Sequence, residues 1–360
     1  MAAEKIMKAL VFLMAAVLVA AGWAVPTTQA APAPATQASI GSIAGMSGTV
    51  YFKPRDAAKW AVAAKGVRLD AGDRIKTGSD GRAALRFKDN SNITLGNDTE
   101  LEITEFLLKK GSRSAVYSVS TGKLRAAVGK FSGRTDIKVK TPTSVSGVKG
   151  TDFIVMNQGD ANIIFGEESN VQVSGDNGRP VVIKPNTMTE NTRGTAPIHP
   201  EKVEPGTPLA DVRAQLETVT NVDAPVEWEK AGQLPLILAR WNINYGRYLA
   251  ESKRFADALD VFQISVDLTE KMEIRAEAYL ERGTLLSRNM NEPQRALAEY
   301  MIVIEKYPEP QYLENAIFSA GMINRELGDK ENAKKLFERY LNEYPNGRHK
   351  ETVENLMKEM

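Results

Sequence analysis

The chain of 360 residues carries 46 Lys and Arg residues, 45 Asp and Glu residues, two His and no Cys. The absence of cysteine excludes disulfides, thiolate metal sites, cysteine nucleophiles and a lipid anchor on Cys. Two histidines leave almost no material for a His-based triad or a multi-His zinc site. The net charge is close to zero overall but differs between the halves of the chain, because it is +7 for residues 40–200 and −7 for residues 201–360. This length predicts two domains, and the charge division indicates that they differ in electrostatic character.

An apolar run lies near the N-terminus. After two lysines, residues 9–21 are apolar and uncharged, and this run of 13 is short for a membrane span, which needs roughly 20. It predicts a signal peptide within residues 1–30, cleaved after Ala24 or Ala30, and an Ala/Pro linker over 31–39. The alternative is an uncleaved N-terminal inner-membrane anchor. An exported chain without cysteine suits a bacterial periplasm, and no integral span is expected after cleavage.

Residues 40–195 alternate apolar and charged side chains at a period of two. Ala83, Leu85 and Phe87, for example, alternate with charged neighbours such as Arg86, so each strand is expected to bury one face. Frequent Gly, Asp and Asn turn signals limit most strands to about 5 or 6 residues. The pattern predicts an all-β, mostly antiparallel sandwich or roll.

Spaced motifs run through the same region. They are Gly72-Asp73-Arg74-Ile75-Lys76-Thr77-Gly78, the stretch from Gly81 to Ser91, Thr121-Gly122-Lys123-Leu124, and the stretch from Val145 to Val155. Together they resemble the periplasmic domains of the FecR family. The resemblance implies that the glycines and turns shape the fold and are not catalytic. Asn90 stands where the family turn usually has Gly.

The best-known members of that family are sigma regulators with a cytoplasmic segment before one membrane span. Only eight residues precede the apolar run in this sequence. We therefore expect the sigma-binding role not to carry over, which leaves the domain as a binding or scaffolding module.

Ten basic residues and one acidic residue lie between Lys109 and Lys149. If neighbouring strands present some of them on one face, their summed field attracts an anionic envelope polymer or a lipid surface. The alternative is a solvated strand face kept charged against aggregation. Nucleic acid is not an expected partner, because no aromatic side chains interleave as stacking platforms. The candidate residues are Lys123, Arg125, Lys138, Lys140 and Lys149.

Six prolines punctuate residues 196–238. They predict a linker that is semi-rigid where it is rich in proline. One short helix is expected within it, because Leu209, Val212 and Leu216 fall at i, i+3 and i+7.

Three sequence blocks repeat in the C-terminal part at offsets of 38 and 37 residues. They are Ala258–Phe262, Ala296–Tyr300 and Ala333–Phe337, and each follows a glycine by 12 or 13 residues. The pattern resembles tetratricopeptide repeats, an all-α solenoid in which a small residue lets two helices approach and an aromatic side chain fills the gap. The predicted units are 239–272, 276–310 and 314–347, followed by a capping helix over 350–360.

The resemblance implies that the first helix of each unit lines a concave groove for a protein partner. The arginines in it are expected to reach carboxylates or carbonyls of that partner. The alternative is a dimerisation or spacer unit with solvated arginines. The groove-facing positions are Asn244, Arg247, Thr284, Arg288, Ser319, Met322 and Arg325.

Neither a nucleophile elbow nor a phosphate-binding loop occurs in the sequence. The segment 89–92 lacks the later Glu of a calcium loop and is predicted to be a turn. Glu100 and Glu102 share a strand face without an identified partner carboxylate. Three hydroxyl residues at 143–146, near Lys149, lie inside a motif already assigned to structure. We therefore expect no catalytic residues, no metal and no cofactor.

Taken together, the sequence predicts an exported periplasmic, non-enzymatic scaffold that contacts an envelope component through its β-domain and a protein through its repeats. Two alternatives stay open. One is an envelope signalling component, in which a ligand on the β-domain changes access to the groove. The other is a cell-envelope carbohydrate hydrolase that uses acidic residues of the β-domain.

Overall fold

Short strands fill the first half of the chain and helices the second, as the sequence predicts. The computed structural model describes residues 39–148 and 150–360. The predicted signal peptide, the segment up to residue 38 and Lys149 lie outside the described residues. The strands are β1 (Gly41–Ser47), β2 (Val50–Lys53), β3 (Ala61–Val62), β4 (Arg68–Leu69), β5 (Arg74–Thr77), β6 (Arg82–Phe87), β7 (Asn92–Leu95), β8 (Glu100–Lys109), β9 (Ser112–Ala127), β10 (Arg134–Lys140), β11 (Ser144–Val148), β12 (Asp152–Gln158), β13 (Ala161–Gly166), β14 (Val171–Gly175), β15 (Val181–Ile183), β16 (Thr187–Asn191) and β17 (Glu201–Lys202).

The strands form two sheets that share β9. The first sheet has the order β4-β1-β6-β7-β9-β12-β13-β16-β17. The second has the order β3-β2-β5-β8-β9-β10-β11-β14-β15. Among the described strands only β9 and β10 pair in parallel. The prediction of a mostly antiparallel sandwich or roll is confirmed.

The long strand β9 passes from one sheet to the other at Gly122. Residues before it pair with β8 and β10, whereas Gly122 itself and the residues after it pair with β12. Gly122 has a φ of +108°, and a Cβ built there would lie 2.3 Å from the Cα of Thr99. Only glycine tolerates both this positive φ and the close approach of Thr99, so this position fixes the point where the two sheets separate.

The predicted alternation holds on β6, where Ala83, Leu85 and Phe87 enter the core between the sheets. Strand β12 differs, because Phe153 and Val155 enter that core while Ile154 packs against the helices. Every residue of β13 is likewise buried. A strand covered on both faces reads as an unbroken apolar run rather than an alternation. The first sheet is therefore the middle layer, between the second sheet and the helices.

The helices are α1 (Pro208–Val219), α2 (Trp228–Gly232), α3 (Leu234–Glu251), α4 (Phe255–Leu268), α5 (Met272–Arg288), α6 (Pro293–Lys306), α7 (Pro310–Glu326), α8 (Lys330–Glu343) and α9 (Lys350–Glu359). Helices α3 to α8 form three consecutive pairs, as the repeats predict, and each first helix begins four or five residues before its predicted unit. In two of the three, Pro235 and Pro310 occupy the first turn, a position that tolerates proline, so the helix extends through them. No helix of the described ranges combines the length and apolarity that a bilayer span requires.

One glycine–aromatic contact holds each helix pair together. A Cβ at Gly246 would lie 2.5 Å from the Phe262 ring, and a Cβ at Gly283 would lie 2.6 Å from the Tyr300 ring. Gly321 stands in the same relation to Phe337, again at 2.6 Å. The three aromatic side chains are almost fully buried. The role predicted for the glycine and the aromatic residue is thus confirmed in all three units.

Residues 196–238 form packed structure where a linker was expected. They hold β17, α1, α2 and the start of α3, and the predicted short helix is confirmed as α1, with Thr207 as its N-cap. Arg82 of β6 donates a 2.8 Å hydrogen bond to the Ala224 carbonyl and lies 5.6 Å from the Trp228 ring. A linker in water would leave the apolar face of α1 exposed, and packing removes that cost.

The β-sheet and the helical repeats share one hydrophobic core. Helix α1 buries Leu209, Val212 and Leu216, which join Phe165 and Met188 of the first sheet in a single cluster. That cluster continues through α3 into the repeats. Residues 39–360 accordingly form one compact unit, and the expectation of two separately cored domains joined by a linker does not describe the structure.

Replacing Gly283 with Ala tests the helix contact, because the new methyl group would meet the buried Tyr300 ring. We expect Gly283→Ala to lower the free energy of unfolding by about 1–3 kcal/mol, as overpacking does, measured by urea denaturation. Gly232→Ala is the matched control, since nothing lies within 4 Å of its Cβ position. The control should be neutral or stabilising by up to about 1 kcal/mol. Equal losses in both variants would contradict the packing role.

Candidate partner-binding site

The first helices of the three repeats, α3, α5 and α7, lie side by side and form one surface. At its centre Glu277 of α5 accepts hydrogen bonds from Arg240 and Arg247 of α3 and from Tyr312 of α7, the last two at 2.7 and 2.9 Å. Burial acts to raise the pKa of Glu277, but the three donors outweigh it and the pKa is lowered. Glu277 is therefore an ionised centre that ties the three first helices together.

Two of the predicted groove arginines form ion pairs with glutamates of the same chain. Arg247 binds Glu281 at 2.7 Å in addition to Glu277, and Arg325 lies 3.3 Å from Glu359 of the last helix. Arg288 is exposed and forms no ion pair with the residues that the structure describes. Arg247 and Arg325 are therefore neutralised by neighbouring glutamates and do not form an unpaired row of positive charge.

The remaining predicted groove positions differ in their exposure. The Thr284 hydroxyl donates to the Leu280 carbonyl of its own helix at 2.9 Å. Ser319 and Met322 are half-buried, and Met322 packs against the hydrophobic cluster. Asn244 is exposed. Among these positions Asn244 is the polar side chain best placed to meet a partner.

Asn244 lines a recess of about 360 Å³ at the α1 end of this surface. The recess has an apolar interior with a polar rim, the usual build of a site that receives one apolar side chain. Of its lining residues, sequence reading named only Asn244, and the linker assigned to residues 196–238 covered Pro208, Leu236 and Ile237. The apolar run at the start of α3 was a usable signal. The lining residues are Pro208, Leu236, Ile237, Arg240, Trp241, Asn244, Glu273 and Ile274.

The predicted basic residues of the β-domain do not share a face. Lys123 and Arg125 follow the bend of β9 and point to the helix side of the first sheet, opposite the buried Leu124. Lys123 is only 7% exposed, and burial lowers its pKa. Arg125 donates to both carboxylate oxygens of Asp152, at 2.9 and 2.6 Å. Both side chains are engaged in packing and pairing and do not form an open cationic surface.

Lys138 and Lys140 lie on β10, on the outer face of the second sheet. Lys138 is paired with Asp136 at 3.1 Å, and Lys140 is exposed beside a recess that includes Glu100 and Glu102. Because β9 passes from one sheet to the other, Lys123 and Arg125 belong to the first sheet, whereas Lys138 and Lys140 belong to the second. Lys149 lies outside the described residues.

Two of the carboxylates considered for chemistry, Glu100 and Asp89, have structural partners. Glu100 forms an ion pair with Arg74. Asp89 accepts hydrogen bonds from the Ser91 amide and hydroxyl at 3.0 and 2.8 Å, and Asn90 has a φ of 66°, so the predicted turn is confirmed. The hydroxyl residues Thr143, Ser144 and Ser146 are buried. Within residues 39–148 and 150–360, no three His or carboxylate side chains converge as metal ligands would.

Comparison with known families agrees with this geometry. Residues 73–172 match the family model described as FecR protein, and residues 315–347 match a tetratricopeptide repeat model. The chain carries a FecR domain and a tetratricopeptide repeat. Both resemblances inferred from the sequence are thereby confirmed, and the C-terminal helices are consistent with repeats of this type.

Solved structures similar to this chain include a protein described as an anti-sigma factor and two tetratricopeptide domains. A Parabacteroides distasonis protein described as a putative anti-sigma factor is 16% identical, with a TM-score of 0.33 over 39% of this chain and 64% of that one. The match therefore leaves more than a third of that protein's length uncovered.

Two helical domains are also similar. The first tetratricopeptide domain of Spaghetti, solved with an HSP90 peptide, is 17% identical, with a TM-score of 0.28 over 34% of this chain and 89% of that one. A C-terminal repeat domain of a Plasmodium falciparum protein described as FK506-binding is 16% identical, with a TM-score of 0.29 over 35% of this chain and 93% of that one. No curated protein matches the sequence.

A buried carboxyl marks the junction between the FecR domain and the repeats. Glu190 of β16 has no exposed surface, and its Oε2 accepts a 3.1 Å hydrogen bond from the Asn242 amide of α3. Its second oxygen has no partner among the described residues, and neither does the Asn242 carbonyl oxygen. Burial raises the pKa of Glu190 to about 8, and the Asn242 hydrogen bond offsets only part of this. Glu190 is therefore largely neutral at neutral pH.

This junction predicts a pH-dependent stability. The pKa of Glu190 is higher in the folded chain than in the unfolded chain, so the folded state binds the extra proton between pH 4.5 and about 8. The stability contributed by the neutral carboxyl is complete below pH 4.5 and is lost as pH rises towards 8, by about 1.4 kcal/mol for each pH unit.

Glu190→Gln keeps an acceptor for Asn242 and cannot ionise. We expect its melting temperature to exceed that of the parent chain by an amount that grows between pH 5 and pH 8, measured by calorimetry across that range. Glu168→Gln, at an exposed position of the same domain, should follow the parent at every pH. A constant difference between the Glu190 variant and the parent would contradict the assigned titration.

Proposed function

We propose that the protein is a non-enzymatic adaptor of the bacterial envelope, in which the tetratricopeptide surface binds an extended segment of a protein partner. The observation that carries this proposal is the recess beside Asn244, at the α1 end of α3, α5 and α7. It offers an apolar interior in a surface where Arg240, Arg247 and Arg325 are already paired with glutamates of the chain.

The recess defines what the partner must present. Trp241 and Ile274 supply apolar lining, and Asn244 and Arg240 supply hydrogen-bonding groups at its rim. Because Arg240 and Arg247 are already paired with Glu277, net charge contributes little to attraction. The partner segment should therefore be recognised by one apolar anchor side chain and by hydrogen bonds, with a modest dependence on salt.

The location in the envelope rests on two features of the sequence. One is the FecR domain at residues 73–172, whose family is associated with the envelope. The other is the apolar run over residues 9–21, in a chain that has no cysteine. Both support export to the periplasm. In this proposal the FecR domain is the part that contacts an envelope component.

Envelope signalling is a second candidate, favoured by the shared core. Phe165 and Met188 of the first sheet lie in one cluster with Leu209 and Leu238 of the helical part. A change in the sheet would reach the recess through packed side chains, because α1 and α3 contribute to both. Signalling thus requires a ligand on the FecR domain that alters peptide affinity at the recess, whereas a plain adaptor shows no such coupling.

Selection from a random peptide library displayed on phage, with the full chain as bait, tests the recess. We expect the selected peptides to share one large apolar residue at a fixed position. Asn244→Trp places a bulky side chain at an exposed recess position and should weaken those peptides by at least about tenfold, measured by fluorescence anisotropy.

Leu327→Trp is the matched control, since Leu327 is 37% exposed and does not line the recess. It should leave peptide affinity unchanged. Peptides without a common apolar residue, or peptides whose affinity is unchanged by Asn244→Trp, would show that the recess is not the binding site.

A further inference from the structure

The hairpin of β8 and β9 extends beyond the rest of the second sheet. Strand β5 pairs with β8 only as far as Glu102, whereas the β8–β9 pairing continues to Lys109 and Ser112. No described strand pairs with the outer edge of β8 beyond that point. The turn of this hairpin, at Lys110 and Gly111, lies at one end of the FecR domain.

Two leucines next to this turn are exposed to water. Leu107 is 48% exposed and Leu108 is 40% exposed, although Phe106, one residue earlier, packs against Phe87 of the core. Large apolar side chains exposed together at a hairpin end indicate a contact surface and are costly to leave in water.

Four basic residues lie in this hairpin end and in the adjacent segment 130–134. Ser112 of β9 pairs with Lys109 on one side and with Arg134 of β10 on the other, so the three side chains lie on one face. Lys110 occupies the turn, and Lys130 belongs to the loop before β10. The four cations, Lys109, Lys110, Lys130 and Arg134, are exposed and form no ion pair with the described residues.

The neighbouring loop is held against the hairpin. The Arg134 amide donates to the Gly111 carbonyl at 3.0 Å, and Phe131 lies 5.0 Å from the guanidinium of Arg113. Arg113 is itself buried against Asp89. Since Leu108 pairs with Arg113, the Leu108 side chain is on the same face of the hairpin as that guanidinium. Leu107 alternates with Leu108 along β8 and lies on the other face, with Lys109 and Arg134. The two leucines therefore flank the turn on both faces of one hairpin end, which we call the hairpin tip.

We propose that the hairpin tip, residues 107–111 with 130–134, docks on a membrane surface rich in anionic lipid headgroups, with Leu107 and Leu108 entering the interface. Four cations without a partner among the described residues match the negative headgroups, and lysine stems allow the ammonium groups to remain in water while the leucines insert. A soluble polyanion would satisfy the cations but would leave the leucines exposed. The only acidic side chain of the hairpin segment 104–113 is Glu105, so the local charge favours an anionic surface. This inference goes beyond the proposed peptide adaptor and does not depend on it.

The absence of cysteine allows a single probe to be placed on the tip. Ser132→Cys, at an exposed position of the neighbouring loop, is labelled in the full chain with an environment-sensitive fluorophore. Vesicles that contain phosphatidylglycerol should shift its emission to the blue, and vesicles of phosphatidylcholine alone should not. Val62→Cys, on β3 at a site that is 79% exposed, carries the same label as the control and should show no shift. This local readout separates tip docking from vesicle binding by the apolar run over residues 9–21.

The two parts of the tip make separable contributions. Lys109→Gln with Lys110→Gln should weaken docking to anionic vesicles about thirtyfold, since each basic residue near such a surface contributes roughly fivefold. Leu107→Ser with Leu108→Ser should also abolish the blue shift. Asn244→Trp, in the peptide recess, should leave docking unchanged, so failure of the adaptor proposal would not imitate failure of this one.

Three results would overturn the proposal. The first is the absence of a blue shift at Ser132→Cys with anionic vesicles. The second is an equal shift at Val62→Cys, which would place the contact elsewhere. The third is full docking by the leucine variant together with competition by dextran sulfate, which would identify a polyanion site in place of a lipid surface.

Discussion

Burial of both faces of the first sheet is the constraint on which the rest of the structure depends. One face of β12 and β13 is covered by the second sheet, and the other presents Ile154 and Phe165, which must also leave water. Full burial of one such side chain is worth about 1.5–3 kcal/mol. Helix α1 and the first helix pair supply the cover, and this forces the repeats to begin directly on the FecR domain.

The same constraint explains why the polar groups at the junction are few and imperfectly paired. Glu190 and Asn242 face one another inside an apolar layer, with one hydrogen bond between them and one oxygen each without a partner among the described residues. An ionised carboxyl in such a layer is expensive, so the group avoids charge by holding its proton. The junction thus stays packed at neutral pH although it contains an acidic side chain.

Local patterns predicted the elements well because their causes are local. The alternation around Leu85 and the Gly246–Phe262 spacing each reflect one element or one helix pair, and both are confirmed. Which elements cover a given face is a non-local question. The apolar face of α1 was visible in Leu209, Val212 and Leu216, but nothing in that segment states that its partner is β13, which lies several strands earlier in the chain.

The charged residues were the least predictable part of the candidate sites. A count of basic side chains between residues 109 and 149 is correct, yet the bend at Gly122 sends Lys123 and Lys138 to different sheets. Ion pairs depend on the same long-range placement, and Arg247 meets Glu277 and Glu281 only because α3 and α5 pack side by side. Sequence can identify charge, whereas only the fold decides which charges remain open to a partner.

The packed junction also decides how two binding surfaces could act together. A long linker would let the repeats search a large volume, and the effective concentration of a bound partner would fall as the linker lengthened. Here α1 is packed on the sheet, and the recess is lined by Pro208 of that same helix. Binding at the FecR domain would therefore also fix the position of the recess, and no flexible segment between them would have to become ordered. Less conformational entropy is then lost in the second binding event. The fixed position of the recess relative to the sheet favours binding in this way, whereas a linker would have allowed the repeats to search a larger volume.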